Sequence, residues 1–301
     1  MTSPEARNSG KGGSAALDAD LLGHQRTVVT ISTYQSGSME SPQIDPNRPN
    51  VARMYDYWLG GKDNFPADRQ AAERASRANP NAQFCAWANR AFLGRAVRFL
   101  AKQGIRQFLD VGSGLPAVGN VHEVAQSIEP GARTVCVDYD PIVSQHGRAL
   151  LATDERTTMV QMDLRNPEFI LDKAAGLLNF DFPVAVLLVA TLHFITDEED
   201  PHGIVKTLME CTEPGSYLVV SHVLETPTTI AAAGAGYKDA SAGVTLRSEA
   251  EISGFFAVTE TELLDPGLVR VPLRRPEVAQ PLAEEDAAKV DFLGGVGRKE
   301  R

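Results

Sequence analysis

Cysteine is scarce in this sequence, with three residues in a chain of 301. Cys85, Cys136 and Cys211 stand far apart and form no CxxC pair, so their spacing predicts neither a disulfide framework nor a metal site. We expect all three to be small core residues of a protein that folds in a reducing cytoplasm.

Long apolar runs and a secretory signal are also missing. No segment approaches the ~18 uninterrupted apolar residues that a membrane-spanning helix needs. The N-terminus lacks a basic stretch followed by an apolar one. The sequence therefore predicts a cytoplasmic protein that has no membrane partner.

Positive charge is in deficit. The formal net charge is -10 and the pI is near 5.1, so a polyanion is repelled on average. Nucleic acid is therefore not expected as a partner, and a small molecule fits better. The composition gives no indication of the oligomeric state.

The rest of the composition is that of a globular protein, with 43% hydrophobic and 23% charged residues. Residues 1–44 differ, because they are rich in Gly, Ser, Thr and Ala and hold few aromatic residues. Such a segment buries too little surface to offset its chain entropy, which predicts a disordered leader. We expect the folded domain to cover residues 45–301.

A strand that runs into a glycine turn is the most informative stretch of the chain. The apolar run of residues 107–111 carries one acid, Asp110, and passes directly into Gly112, Ser113 and Gly114. Glycine permits the tight turn, and its missing Cβ lets a ligand approach the main chain. The stretch therefore predicts a binding loop.

The neighbours of this turn indicate what it binds. Together with Ala117, the two glycines match a relaxed form of the dinucleotide-binding motif G-x-G-x-x-G/A. That motif would imply an NAD-dependent oxidoreductase. Asp110 would repel a pyrophosphate, and Pro116 removes a backbone donor. The carboxylate suits a cationic group instead, such as the α-ammonium of S-adenosylmethionine. A glycine turn in an unrelated α/β protein is the remaining alternative.

Acids also end the next two predicted strands. Residues 133–138 form an apolar run that ends in Asp138, a little over twenty residues past the glycine turn, where an acid can accept both ribose hydroxyls. Residues 158–162 are followed by Asp163, which could accept from an adenine amino group. Because open parallel sheets bind ligands at the carboxyl ends of their strands, the three acids predict one shared cleft.

Strands and helices alternate through most of the chain. Strands are expected at 107–111, 133–138, 158–162, 184–190, 216–223, 261–264 and 290–298. Helices are expected near 119–127, 142–152, 167–178, 200–212 and 248–256, with a flexible or broken helical insertion after Thr226. This alternation predicts a mostly parallel seven-stranded sheet with helices on both faces.

An aromatic-rich segment at residues 45–80 precedes these elements. Asn50 is expected to begin a short helix that Gly60 ends. The aromatic side chains either pack on the core or belong to a lid that closes over a ligand. The residues of that lid would be Arg53, Tyr55, Tyr57, Trp58 and Asn64.

A strongly amphipathic helix is expected at residues 81–102, where apolar side chains recur with helical spacing. Its middle contains two polar residues, Asn89 and Arg90. They are either exposed or directed toward the ligand.

Several segments resemble class I S-adenosylmethionine-dependent methyltransferases and, more narrowly, the actinobacterial S-adenosyl methyltransferase family. They are PNRPNVARMYDYWLGGKDNFPADR, GIRQFLDVGSGLPAVGNVHEVAQ, VDYDPIV, MDLRNP, LLVATLHFITDEEDPHGIV and GSYLVVSHV. The resemblance implies a Rossmann-like α/β fold with a seven-stranded, mostly parallel sheet, a reversed final strand and an N-terminal helical lid. It also implies S-adenosylmethionine as the cofactor.

The resemblance implies roles for individual residues as well. Asp110 and the two glycines would hold the methionine part. Asp138 would hold the ribose, with Asp140 as its competitor, and Asp163 would hold the adenine. The expected cofactor-binding residues are Arg53, Asn89, Asp110, Gly112, Ser113, Gly114, Asp138, Tyr139, Asp163 and Leu164.

The predicted reaction is an in-line methyl transfer to an unidentified small molecule, in which alignment supplies most of the acceleration. A base is needed only if the acceptor loses a proton. His193, at the end of the fourth strand, is the first candidate unless it is bonded to the backbone, and His222, Tyr55 and Tyr57 are the others. The alternative function is a protein that binds or senses S-adenosylmethionine without turnover.

Overall fold

The computed structural model describes residues 44–152, 154–275 and 284–300. The helices are α1 (Val51–Leu59), α2 (Pro66–Ala78), α3 (Ala82–Lys102), α4 (Val121–Ile128), α5 (Pro141–Leu150), α6 (Pro167–Ala174), α7 (Pro201–Glu210), α8 (Pro227–Gly236), α9 (Glu249–Ala257) and α10 (Glu284–Ala287). The strands are β1 (Gln107–Val111), β2 (Arg133–Asp138), β3 (Thr157–Gln161), β4 (Ala185–Val189), β5 (Tyr217–Val223), β6 (Thr261–Leu263), β7 (Val269–Arg270) and β8 (Phe292–Lys299). The leader expected at residues 1–44 lies outside the described residues except for Ile44. In the described part of the chain, no helix is both long enough and apolar enough to cross a membrane.

The strands form one sheet in the order β3-β2-β1-β4-β5-β8-β6, and β7 pairs with β8. Strands β1 to β5 run parallel. Strand β8 is antiparallel to β5 and β6. The seven predicted strands and the reversed final strand are therefore confirmed, and the two-residue strand β7 is an addition that the sequence did not indicate.

Both faces of the sheet are buried. Consecutive residues of β1 point to opposite sides, so Phe108 joins an apolar cluster with α3 and α4, whereas Leu109 joins one with α6, α7 and α9. In β4, Leu187 and Val186 repeat this alternation. Strands that are apolar on both sides need a helical layer on each, which accounts for the three-layer α/β architecture.

A crevice is expected where the strand order reverses. Strand β1 lies between β2 and β4, so the crossovers on its two sides diverge at the carboxyl ends of the strands. The antiparallel strand β8 begins at this same edge, because Phe292 pairs with Val223, the last residue of β5.

Three helices, α1, α2 and α8, share an apolar cluster that is separate from the two sheet-face clusters, and we call them the roof. As predicted, α1 begins after Asn50, whose side chain accepts hydrogen bonds from the backbone N–H groups of Ala52 and Arg53. It ends at Gly60, which has a φ of +82°.

Helix α8 corrects the expectation of a flexible or broken insertion after Thr226. It is a regular helix that packs against α2. The two helices approach so closely that a Cβ on Gly236 would lie 2.7 Å from the Cβ of Ala75. Small residues at this contact therefore allow the roof to form.

Candidate functional site

A cavity of about 270 Å³ lies at the carboxyl edge of the sheet, between the strand ends and the roof. Most of the predicted site residues line it, and Arg53 and Tyr57 do not. The predicted residues that line the cavity are Tyr55, Asn89, Asp110, Gly112, Ser113, Gly114, Asp138, Tyr139, Asp163, Leu164 and His193. The three strand-end acids therefore share one cleft, as the sequence predicted.

The glycine turn after β1 has the backbone conformation that its sequence indicated. Gly112 and Gly114 have φ values of +79° and +68°. The N–H groups of Gly112 and Ser113 both donate to the carbonyl oxygen of Val137, at 2.8 and 3.0 Å. A Cβ on Gly112 would lie 2.4 Å from Oγ1 of Thr191, so this position requires glycine for space as well as for conformation.

Asp110 is a buried acid that lines the cavity. Asp110 is 6% exposed, and no group of the described residues donates a hydrogen bond to its carboxyl. Burial raises the pKa of Asp110 to about 7, the Arg90 guanidinium opposes the rise, and the Asp138 carboxylate adds to it. A ligand cation would favour the ionised carboxylate, so the position fits an ammonium group.

Arg90, which the sequence left as either exposed or directed toward the ligand, lines the cavity. Its Nη2 donates to Oδ1 of Asn120 at 2.9 Å, and its buried Nε has no partner among the described residues. Arg90 and Asp110 together offer one cation and one anion, which complement the carboxylate and ammonium of an amino acid. The sequence signal that pointed to Arg90 as a site residue was its position next to Asn89 in the middle of α3.

Asp138 connects the glycine turn to β2. Its Oδ2 accepts from the Gly114 N–H and its Oδ1 from the Asp140 N–H, both at 3.0 Å. Burial raises the pKa of Asp138 to about 6, although these backbone hydrogen bonds oppose the rise. Asp140 does not line the cavity, because its carboxylate begins α5 by accepting from the N–H groups of Ile142 and Val143.

Asp163 reaches the cavity together with Leu164 and Arg165. The Asp163 carboxylate already pairs with the Arg165 guanidinium, with Nη1 and Oδ1 3.1 Å apart. Arg165 also pairs with Glu199 at 2.6 Å. Asp163 is therefore a shared acceptor, in contrast to the unshared carboxyl of Asp110.

A hydrogen-bonded chain joins α1 to β5. The Tyr55 hydroxyl donates to the Ala86 carbonyl oxygen at 2.9 Å and accepts from Asn89 Nδ2 at 3.0 Å. Asn89 Oδ1 accepts from the Ser221 hydroxyl at 2.6 Å, and Ser221 Oγ accepts from the Ala190 N–H at 3.0 Å. Burial, the largest effect, raises the pKa of Tyr55 to about 12. Tyr55 is thus a neutral phenol whose proton is engaged, which argues against a role as base.

Arg53 and Tyr57 do not line this cavity, because both side chains belong to the roof. Arg53 is buried, and its Nε lies 3.0 Å from the Asp68 carboxylate in an ion pair too bent for a hydrogen bond. The Tyr57 hydroxyl donates to Glu73 at 3.2 Å on the exposed side of the helix. Residues two apart in a helix point about 200° apart, so placing Tyr55 toward the cavity turns Tyr57 away.

His193 lies in a short 3-10 helix, Leu192–Phe194, that follows β4. It is buried and lines the cavity, and its Nδ1 has no hydrogen-bond partner among the described residues. Burial, helped by His222 and Arg247, lowers the pKa of His193 well below its ordinary value. The imidazole is therefore neutral at physiological pH and has a lone pair available to accept a proton.

His222, the alternative base, is engaged behind His193 and does not line the cavity. Its Nε2 lies 3.0 Å from the Arg247 guanidinium, which can only donate, so Nε2 is the acceptor. The other nitrogen, Nδ1, then donates to the carbonyl oxygen of Val223 at 2.8 Å. Burial lowers the pKa of His222 to about 4. Both ring nitrogens are therefore occupied.

Comparison with known proteins identifies relatives of the whole domain. The family model described as S-adenosyl methyltransferase matches residues 37–300. A protein from Thermobifida fusca YX, described as a candidate methyltransferase, is 39% identical, with a TM-score of 0.80, and the match covers 88% of this chain and 100% of that one. A DUF574 family protein from Streptomyces avermitilis MA-4680 is 40% identical, with a TM-score of 0.80, over 85% of this chain and 100% of that one. No curated protein matches.

The match covers both the sheet and the roof, and the two relatives are actinobacterial proteins with the same fold. Five parallel strands and the antiparallel last strand, β8, form the class I methyltransferase fold that the sequence predicted. This chain is therefore a member of the S-adenosyl methyltransferase family and an enzyme whose cofactor is S-adenosylmethionine.

Proposed function

We propose that the chain transfers a methyl group from S-adenosylmethionine to a small molecule held beneath the roof, by an in-line displacement. One observation carries the proposal. The acids at the ends of β1, β2 and β3 line the same cavity as His193 and the roof helices. A cofactor and an acceptor can therefore lie side by side in one cavity, which supplies proximity.

The cofactor would occupy the part of the cavity beside β1, β2 and β3. Asp110 would receive the ammonium group and Arg90 the carboxylate of the methionine part. Asp138 has each oxygen bonded to one backbone N–H and retains lone pairs for the ribose hydroxyls. Asp163 and the Leu164 backbone would meet the adenine. When bound, S-adenosylmethionine supplies a methyl group on a positively charged sulfur.

The acceptor would occupy the part beside β4, β5 and β8. His193 is the residue there that can take a proton from the acceptor, because its ring lines the cavity and is neutral. Tyr55 would act as a positioning residue, since its hydroxyl fixes α1 against α3.

An NAD-dependent oxidoreductase fits this cavity less well. Asp110 and Asp138 both lie beside the glycine turn, where a pyrophosphate would need donors rather than carboxylates. A protein that senses S-adenosylmethionine without turnover would share the cofactor residues. Incubation with S-adenosylmethionine and a small-molecule library separates the two, because only the enzyme releases S-adenosylhomocysteine. Tight binding with no release from any compound would favour the sensor.

Changing Asp138 to asparagine is expected to weaken S-adenosylhomocysteine binding by about tenfold. Asparagine keeps the shape but removes the charged acceptor of the ribose hydroxyls and turns its NH2 toward one of the two backbone N–H groups that Asp138 accepts from, a combined loss of about 1–2 kcal/mol. Isothermal titration calorimetry measures the change. Asp140→Asn is the matched control, because asparagine also begins helices well and Asp140 lies outside the cavity. Equal losses in both variants would mean that Asp138 has no particular role in holding the ribose.

A further inference from the structure

The cavity is divided into two parts of different chemistry. The part beside β1, β2 and β3 carries the charged side chains described above. The other part, which we call the acceptor half, lies beneath the roof and beside β4, β5 and β8. Representative lining residues of the acceptor half are Trp58, Leu59, Val223, Ala233, Tyr237 and Phe292.

The two cavity-lining carboxylates that do not follow parallel strands, Asp56 and Asp291, are already engaged. Asp291 accepts from Asn79 Nδ2 at 3.2 Å and lies 3.7 Å from the Arg270 guanidinium. Asp56 accepts from Asn64 Nδ2 at 2.7 Å and from the Asp63 N–H at 3.0 Å. Neither acid is therefore an unshared partner for a ligand cation.

Unpaired cations are also missing from this half. Among the described residues that line the cavity, the basic ones are Arg90 and Arg165, and both lie at the cofactor end beside Asp110 and Asp163. A charged acceptor, of either sign, would lose its hydration in the acceptor half without gaining a partner. The acceptor half therefore fits an uncharged molecule.

Aromatic rings surround the candidate base. The His193 ring centroid lies 4.3 Å from that of Phe194 and 5.9 Å from that of Phe292. Phe194 in turn lies 6.2 Å from Tyr237. Rings at these distances present edges and faces that a flat aromatic ligand can contact, which favours a ring compound over an aliphatic chain.

Two polar groups remain within these apolar walls. The neutral imidazole of His193 lines the cavity, and the Tyr237 hydroxyl makes no hydrogen bond within the described residues. Burial raises the pKa of Tyr237, so this hydroxyl stays neutral and can donate. One acceptor of protons and one donor of a hydrogen bond are the complement of a hydroxyl group.

We propose that the methyl acceptor is an uncharged aromatic molecule with a phenolic hydroxyl, and that this oxygen is methylated. The inference rests on the proposed methyl transfer and adds its acceptor class. The hydroxyl oxygen forms a bond to the methyl carbon as the carbon–sulfur bond breaks. The bonding pair stays on sulfur, giving neutral S-adenosylhomocysteine, and the hydroxyl proton passes to the neutral imidazole of His193.

The test compares three naphthalene probes that differ in charge: 2-naphthol, 2-naphthoate and 2-naphthylmethylammonium. Each is titrated by calorimetry into the full chain saturated with S-adenosylhomocysteine. We expect 2-naphthol to bind at least tenfold more tightly than either charged probe. A charged probe that binds as well as 2-naphthol, or no binding by any of the three, overturns the inference. The saturation step itself tests the cofactor site, so S-adenosylhomocysteine binding without naphthol binding leaves the proposed function standing.

Variants connect the binding to the acceptor half. Ala233→Phe fills the space beneath the roof and should abolish 2-naphthol binding. Tyr237→Phe removes the donor and should weaken 2-naphthol severalfold. Phe182→Ala removes an exposed ring that precedes the amino end of β4. It should leave the affinities for 2-naphthol and for S-adenosylhomocysteine unchanged. Naphthol binding that survives Ala233→Phe would place the probe elsewhere and overturn the assignment.

Discussion

Changing Asp110 to asparagine is expected to weaken S-adenosylmethionine binding about 100-fold, or ~3 kcal/mol. Asp110 is the buried cavity acid whose carboxyl has no donor among the described residues, so a ligand ammonium would be its main partner. Asparagine keeps the size of the side chain and removes the charge. Calorimetry at pH 7.5 measures the loss. Asp163→Asn is the control, with a smaller loss expected because Arg165 already pairs with Asp163.

The same interaction predicts a pH dependence. In the ligand-free protein, burial holds the pKa of Asp110 at about 7 and that of Asp138 at about 6. Both carboxylates are therefore protonated, and neutral, at acidic pH. Affinity should therefore rise as pH increases from 5.5 to about 7.5, and the slope should become shallower in Asp110→Asn. Without ligand the trend in stability is opposite, because a raised carboxyl pKa stabilises the fold at low pH, and this contribution is lost as pH rises to about 7. Affinity that does not change over this range would exclude Asp110 from ammonium binding.

Changing Gly112 to alanine is expected to lower the stability of the fold by about 3 kcal/mol and the Tm by roughly 10 °C. Two costs combine at this position. An alanine must adopt a φ of +79°, and its Cβ would lie 2.4 Å from Oγ1 of Thr191. Thr191 cannot yield freely, because its hydroxyl donates to carbonyl oxygens at the ends of β1 and β4. Thermal unfolding followed by circular dichroism measures the change.

Gly104→Ala is the matched control for this prediction. Gly104 has a φ of +89°, and a Cβ there would meet no atom within 4 Å. The stability that Gly104→Ala loses should therefore contain only the conformational cost of about 1–2 kcal/mol. If Gly104→Ala and Gly112→Ala are equally destabilised, the contact with Thr191 is not what restricts the turn to glycine.

The fold was largely predictable because its signals are local. The bounds of β1 and β2 match the prediction, since each apolar run is ended by an acid, a glycine or a turn. Helix α8 was not recognised as regular because its sequence is rich in alanine and glycine and has no polar face to give a helical period. Its stability comes from close packing against α2, which no local pattern records.

The site was predictable where topology alone decides position. Asp110, Asp138 and Asp163 follow parallel strands, so the sheet brings them to one edge. The direction in which a helical side chain points was harder to predict from the sequence. Aromatic residues occur around α1, so the sequence did not indicate which tyrosine faces the cavity, and Tyr57 was included with Tyr55.

Neighbouring positions on the inner face of α8 have different tolerances for change. Ala232 and Ala233 line the cavity, whereas Gly236 meets Ala75 of α2 with no room for a Cβ. A larger residue at Ala233 would reshape the space for the acceptor, whereas one at Ala232 would also press on the roof cluster, against which Ala232 packs. Larger residues at Gly236 would force α2 and α8 apart. Mutational drift can therefore diversify acceptor preference among relatives without eroding the scaffold, which makes this one helix the place to look for divergence within the family.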